Sequence, residues 1–244
     1  MRARSDPHDA PFEREPWSVE RVLSDGTAVT LRPLHADDKE AFREAFRALS
    51  PAARYMRFFS VVTEPSEHVL RYLTDVDQRD HVAIVATTAS VDLKSERGVG
   101  VARFVRVKGE PHVAEAAVTV LDEFQGRGLG ALLLVELARA ALARGVHVFR
   151  GEVLATNAPM LSILRQVGAT LSPGDDAAGP PSDGDQPALR RGPAASLDTP
   201  ALRFAVPLDQ GEPEPHRGLV DVLRAAAASM ASRLRVLVDP EREG

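Results

Sequence analysis

Apolar positions along the chain fall into two kinds of run, one repeating every second residue and one every third or fourth. Ser18–Leu23 and Thr27–Leu34 are β-prone and flank Ser24-Asp25-Gly26, and Asp-Gly between such runs predicts a hairpin. Asp37 and Asp38 then open a helical run with Phe42, Ala45, Phe46 and Leu49 on one face, which Pro51 ends. The aromatic and basic cluster Arg54-Tyr55-Met56-Arg57-Phe58-Phe59 is expected in the following loop. Ser66–Val76 predicts a second helix, with Val69, Leu70, Leu73 and Val76 turned inward. Strands are predicted at Val82–Thr87, Gly98–Val107 and Val113–Leu121. Leu129–Arg144, rich in Ala and Leu and closed by Gly145, is the strongest helix. A strand at Val146–Leu154 and a helix from Pro159 to Val167, closed by Gly168, complete the pattern. The order β β α α β β β α β α predicts an α/β (α+β) domain with a mixed, mostly antiparallel sheet flanked by helices.

The periodicity lapses outside this stretch. Residues 1–16, with Asp6, Pro7, Asp9 and Pro11, are expected to be a disordered tail before Trp17. Between Pro173 and Pro200, ten of 28 residues are Gly or Pro and five are Asp, which predicts a mobile insertion. Leu202–Leu208 regains strand character, so the insertion is expected to interrupt a terminal hairpin, and the domain to run from 17 to 208. In the linker and tail 209–244, Leu219, Leu223, Ala227, Met230, Leu234 and Leu237 recur at helical spacing. Such an amphipathic helix needs a partner surface, either its own domain or a second copy in a homodimer.

Composition narrows the chemistry. The 244 residues are 44% apolar and 27% charged, the profile of a globular chain with enough material for a core, and the length alone allows one domain with appendages or two small ones. There is no cysteine, which excludes disulfides, cysteine zinc sites and a cysteinyl-acyl intermediate. A net charge of −5 argues against nucleic-acid binding. The most apolar run, Ala131–Ala143, is too short for a membrane span and carries Glu136 and Arg139. No apolar signal core follows Arg2 and Arg4, so a cytoplasmic location is expected. The seven histidines lack metal-ligand spacing, and no metal is expected.

The run with chemistry in it is Val118–Ala131, where a predicted strand turns into the strong helix through Gln125-Gly126-Arg127-Gly128-Leu129-Gly130. A helix start leaves amide hydrogens unpaired and carries partial positive charge, and glycines let a phosphate come close. Arg127 adds a formal charge, so the segment predicts a pyrophosphate cradle. A dinucleotide fold is a poor fit, because its glycine turn follows the first strand and here several strands come earlier. A P-loop would need Gly-Lys-Ser/Thr, which is absent.

Gln125-Gly126-Arg127-Gly128-Leu129-Gly130 resembles the Gln/Arg-x-x-Gly-x-Gly/Ala signature of the GNAT superfamily of acetyl-CoA-dependent N-acetyltransferases. The surrounding order of elements, Asn157 after the next strand and Gly168 eleven residues later agree with it. The resemblance covers about Trp17 to Ala169. It implies a GNAT-like fold, acetyl-CoA as co-substrate, and a primary amine as acceptor. It also implies that the amides of Gln125, Gly126, Arg127, Gly128, Leu129 and Gly130 hold the CoA pyrophosphate. Backbone groups of Val118 and Val120 would pair with pantetheine, and Asn157 would lie beside that arm. More narrowly, Leu49-Ser50-Pro51 with Arg54–Phe59, Leu73–Asp77 and Ala114-Glu115 resemble the catalytic domain of Pat-type bacterial protein lysine acetyltransferases. That implies a protein lysine as acceptor. Those enzymes carry a glutamate ten residues before the signature, and Glu115 stands ten before Gln125.

An amine of pKa about 10.4 must lose a proton at neutral pH, which costs on the order of 4–5 kcal/mol. A positioned carboxylate can accept it. Glu115 is the candidate, on a strand face with Ala117 and Thr119, while Ala116, Val118 and Val120 point the other way. Such surroundings predict a buried carboxyl with a raised pKa. Glu110 and Glu123 are alternatives in turns. A strand N–H near Val118 would serve as oxyanion donor. Many members of the superfamily place a tyrosine in the following helix to protonate the leaving thiolate, but here that position is Leu164. Phe58 and Phe59 shape an acceptor pocket or belong to the core, and Asp77 and His81 line the acceptor side or cap. A small-molecule amine acetyltransferase and a non-catalytic acyl-CoA sensor would share the cradle, and only the sensor would not need Glu115.

Overall fold

A computed structural model describes residues 17–58, 64–89, 96–174 and 200–208. The alternating runs become β1 (Val19–Val22), β2 (Ala28–Pro33), β3 (His81–Ala89), β4 (Glu96–Val107), β5 (Glu110–Val120), β6 (Val148–Leu154), β7 (Thr170–Pro173) and β8 (Ala201–Pro207). The helical runs become α1 (Lys39–Ala48), α2 (Pro51–Phe58), α3 (Glu67–Thr74), α4 (Leu129–Leu142) and α5 (Ala158–Gln166). One sheet in the order β1-β2-β3-β4-β5-β6-β8-β7 holds all eight strands. Every neighbouring pair is antiparallel except β5 and β6. The expected mixed, mostly antiparallel sheet is therefore what forms.

Helix α4 lies on one face of the sheet. Its Leu129, Leu133 and Leu137 are buried there with Ala102, Phe104 and Ala114. Gly100 makes that approach close, since a Cβ would stand 3.0 Å from the Leu133 side chain. Helices α1, α2 and α3 cover the opposite face, with Ala45 of α1 above Gly98. Phe42, Ala45, Phe46 and Leu49 supply the apolar side of α1, as their spacing predicts.

The Asp-Gly hairpin forms as expected: the Leu23 N–H donates to Thr27 O, and Asp25 Oδ1 accepts from the Thr27 N–H. Pro51 behaves differently. It ends α1 but also begins α2, with Ser50 as N-cap accepting from the Ala53 N–H at 3.1 Å. Proline lacks the N–H that a first helical residue would leave unpaired, so it suits both positions. Arg54 to Phe58 therefore lie on a helix and not in a loop. Strand β7 escapes the periodicity because Thr-Leu-Ser-Pro has one apolar residue in four. It pairs with β8 and brings Gly174 against Ala201, with the Gly174 N–H donating to Ala201 O at 2.9 Å. Residues 175–199 thus leave from and return to one hairpin. The 1–16 tail, most of the 173–200 insertion, Phe59 and the 209–244 helix lie outside the described residues.

The sheet's one parallel contact positions the site. Strands β5 and β6 pair only over Val113–Glu115 and Val148–Arg150. Beyond this β5 stays on β4 and β6 on β8, and the two part. At the divergence sits Gly151, where a Cβ would come within 2.7 Å of the Phe204 ring and 3.1 Å of Ala116 O.

A second cluster holds α3 to the sheet. Arg103 donates to Leu73 O at 3.0 Å and stands 3.2 Å from His81 Nε2, and the His81 ring packs 5.1 Å from Tyr72. Burial and the Arg103 charge pull the His81 pKa down to about 4, against the opposing charge of Asp77, so the ring is neutral at pH 7.

Two predictions follow from this packing. Gly151→Ala should destabilise the domain by about 1–3 kcal/mol in urea unfolding, because a methyl group overpacks the junction of β5, β6 and β8. Full stability in that variant would mean the strands are not in contact there. An unfolded histidine takes up its proton near pH 6.5, which His81 resists down to about 4. Its contribution is thus complete above pH 6.5 and is lost as pH falls toward 4, by up to a few kcal/mol at roughly 1.4 kcal/mol per unit. His81→Gln should flatten the stability profile in that window. An unchanged slope would refute the neutral, buried ring.

Candidate functional site

Strand β5 gives way to a single 3-10 turn at Asp122–Phe124 that buries Phe124. Gln125 Nε2 then donates to Val120 O at 3.1 Å and folds the loop back on the strand end. Gly126 and Gly128 follow at φ +73° and +88°. A Cβ at either would touch nothing within 4 Å, so it is the left-handed backbone that requires glycine. Gly128 is the N-cap of α4, and its carbonyl accepts from the Leu132 N–H at 3.1 Å. The amides of Leu129, Gly130 and Ala131 precede the first intrahelical donor and have no intrahelical acceptor. Two left-handed glycines before free helix amides make a concave anion site. Leu129, only 1% exposed, anchors the helix start in the core, and a Cβ at Gly130 would stand 3.8 Å from the Val120 side chain, an ordinary contact.

Arg127 belongs to this loop but is turned to the β1–β2 hairpin. Its guanidinium is 2.6 Å from Asp25 and 5.2 Å from the Phe124 ring centre. Its carbonyl accepts from the Ser24 N–H and Oγ. Part of its charge is thus balanced by a carboxylate 102 residues away in sequence, a partner that no local pattern reveals.

Next to the cradle runs the gap between β5 and β6. Ala116, Val118 and Val120 pack toward the core, and Thr119 faces α1, so the alternation read from sequence holds. Glu115 shares the Thr119 face. Its carboxylate is 3.6 Å from Arg150 on β6 and 30% exposed, so a guanidinium stands where only small residues were expected. Glu110 also reaches Arg150, at 2.9 Å, and Glu123 pairs with Arg97. Asn157, across the gap, caps α5 with Oδ1 accepting from the Met160 N–H at 3.2 Å. Leu164 is buried.

A cavity of about 160 Å³ lies between α1, α2 and strands β3 to β5. Phe42, Phe46, Phe58, Val101 and Thr119 are among its walls, and the Arg32–Asp38 pair is at its rim. Phe58 is buried, as its core reading expects, and its ring is one wall of this cavity. The junction of α1 and α2 is tied to the cradle loop, with Ser50 N–H and Oγ both donating to the Asp122 carboxylate, at 2.9 and 2.7 Å. Burial works against ionisation of Asp122, but these bonds outweigh it and hold its pKa below the ordinary value. Asp77 takes the capping role, with Oδ1 accepting from the amides of Arg79, Asp80 and His81.

Sequence reasoning missed the Ser50–Asp122 link, Arg150 and Arg103. Only Arg103 left a signal, a cation at an inward position between Val101 and Val105. Among the described residues no three His, Asp or Glu side chains could hold a metal, and no helix is long and apolar enough to cross a membrane.

Comparison with known proteins agrees with this geometry. The family model for the acetyltransferase (GNAT) domain matches residues 28–170. The chain is 35% identical over 160 residues to acetyltransferase PA5475 of Pseudomonas aeruginosa, covering 65% of this chain and 83% of that protein. It is 36% identical over 139 residues to acetyltransferase Pat of Mycolicibacterium smegmatis, covering 57% of this chain but 40% of Pat. The solved GNAT domain of S. lividans PAT superposes with a TM-score of 0.62 at 27% identity, over 79% of this chain and 97% of that one. The fold is also that of yncA from Salmonella typhimurium, solved with its cofactor acetyl-CoA, at a TM-score of 0.51 and 21% identity, over 77% of this chain and 98% of that one. The chain belongs to the GNAT family and is an acetyl-CoA-dependent N-acetyltransferase.

Proposed function

We propose that this acetyltransferase modifies lysine side chains of proteins, by direct attack of the amine on acetyl-CoA. The observation that carries the reading is the position of Glu115, a carboxylate at the end of the β5–β6 ladder where the gap opens. Similarity to Pat supports a protein lysine as acceptor, together with the Leu49–Phe58 segment folded as α1, N-cap and α2.

The amides from Gly126 to Gly130 hold the CoA pyrophosphate at the start of α4, while the Gln125 N–H, which the sequence also pointed to, donates to Asp122 O at 3.2 Å. Backbone groups of Val118 and Val120, on the edge of β5 that β6 leaves, pair with the amide-bearing pantetheine arm. Asn157 lies beside that arm while it caps α5. Lysine enters from the α1–α3 face, and Glu115 accepts its proton directly or through water, since the carboxylate is partly exposed. A strand N–H near Val118 steadies the developing oxyanion. The thiolate leaves without a tyrosine at the Leu164 position, which a thiol of pKa about 8.5 permits. The cysteine-free composition fits a cytoplasmic setting.

Glu115→Gln should lower kcat on a lysine peptide by about 10²-fold or more while CoA affinity stays within about twofold. Unchanged kcat would remove Glu115 as the base. Negligible turnover in wild type and variant alike, with tight CoA binding, would favour a sensor. Gly128→Val should weaken CoA binding at least about tenfold in calorimetry, because a β-branched residue cannot hold φ +88° without distorting the cradle. Retained affinity would put the cofactor elsewhere.

A further inference from the structure

Arg21, Arg32, Arg106, Arg127 and Arg150 each reach a carboxylate. Arg57 and Arg103 reach none among the described residues. Arg103 is only 6% exposed, and it has the Leu73 carbonyl, the His81 ring nitrogen and the face of Phe42 around it. Arg57, on α2, is half-buried, with its guanidinium 4.9 Å from the centre of the Phe58 ring. Their ring partners, Phe58 and Phe42, line one cavity, and the Arg57 charge adds to burial in opposing the ionised form of Arg103. Burial pulls both down, Arg103 to about 9 and Arg57 to about 10, with Tyr72 beside each. Removing a guanidinium from water is costly unless an anion meets it, and like charges side by side add to the cost.

Their location gives the pair a use. Arg103 is opposite Ala117 on β5, so its side chain rises on the same face as Glu115 and Thr119. Only the methyl group of Ala117 separates its strand position from the edge that β6 leaves. Helix α2, which carries Arg57, packs against β5. Phe42 and Phe58, on which the two guanidiniums stack, both line the cavity that Thr119 closes.

We propose that Arg57 and Arg103 bind a carboxylate carried by the acceptor close to its reacting amine, so that the preferred lysine has an aspartate or glutamate near it. A guanidinium pair suits a carboxylate because its planar donors match the two oxygens. The inference rests on the proposed entry of the acceptor from the α1–α3 face. Arg57 is the residue to vary, since Arg103 also anchors α3.

The full chain loaded with CoA would be titrated calorimetrically with a lysine peptide carrying glutamate on either side of the lysine, and with its glutamine counterpart. Free lysine and lysinamide test a second source of the same carboxylate. Wild type should bind the glutamate peptide about tenfold more tightly, the worth of one charge-assisted contact. Arg57→Gln should bring the two peptides within about twofold, and Arg57→Lys should keep part of the preference. CoA affinity, measured alongside, reports that the fold is intact. Equal binding of the two peptides by wild type, or an equal weakening of both in Arg57→Gln, overturns the proposal. Acetyl transfer without the charge preference leaves the lysine reading standing and removes this one. A preference for lysine over lysinamide, lost in Arg57→Gln and with neither peptide bound, keeps the carboxylate site and removes the protein acceptor.

Discussion

Three residue pairs of parallel sheet decide what this molecule can do. Were β5 and β6 to continue together past Glu115 and Arg150, the sheet would close and no ligand could enter it. They part because each strand is held by its other neighbour, β5 by β4 and β6 by β8 along its full length. The aromatic ring of Phe204 fills the space over Gly151 at the point of divergence. The gap leaves one edge of β5 with backbone donors and acceptors facing no strand. Such an edge favours an extended, amide-bearing partner. Pantetheine in acetyl-CoA is a partner of that kind, and the pyrophosphate to which it is joined needs an anion site one strand-length away. In the proposed reading the left-handed glycines at the start of α4 supply that site.

This arrangement divides the sheet into two working faces. Helix α4 and the cradle occupy one, while α1, α2, α3 and the apolar cavity occupy the other. The hydrogen bonds of Ser50 to Asp122 join them, so the N-cap of α2 is fixed to the loop that leads into α4. The same loop is tied to the β1–β2 hairpin by Arg127 and Asp25. An anionic cofactor on a chain of net charge −5 then depends on oriented amides more than on formal charge, because the one cation in the cradle is already shared with a carboxylate.

Features that depend on local geometry were legible in the sequence. Asp25-Gly26 announced its hairpin, and the glycine-rich run between β5 and α4 announced a tight turn into the helix. The strand alternation that places Glu115 and Thr119 on one face also holds in the structure. Features with two local solutions were not legible. Pro51 satisfies the rule for ending a helix and the rule for starting one, and only the Ser50 side chain on Ala53 N–H decides between them. Four residues with a serine and a proline give β7 no period to detect, and its pairing with β8 comes from across the insertion. Pairings between distant residues left no trace. Glu115 looked like a carboxylate among small neighbours because Arg150 is on a strand that reaches it only after the α4 crossover.

That pairing gives the candidate base an unusual setting. Glu115 and Arg150 are the last partners in the parallel ladder, so their side chains meet on one face at the point where the strands separate. At 3.6 Å the Arg150 guanidinium balances the charge of the carboxylate. Arg150 is also engaged by Glu110, which divides its charge between two carboxylates. The divergence of the two strands therefore leaves a partly exposed, ion-paired carboxylate at the mouth of the gap. A proton acceptor needs that access, since it must receive a proton and release it again in each cycle.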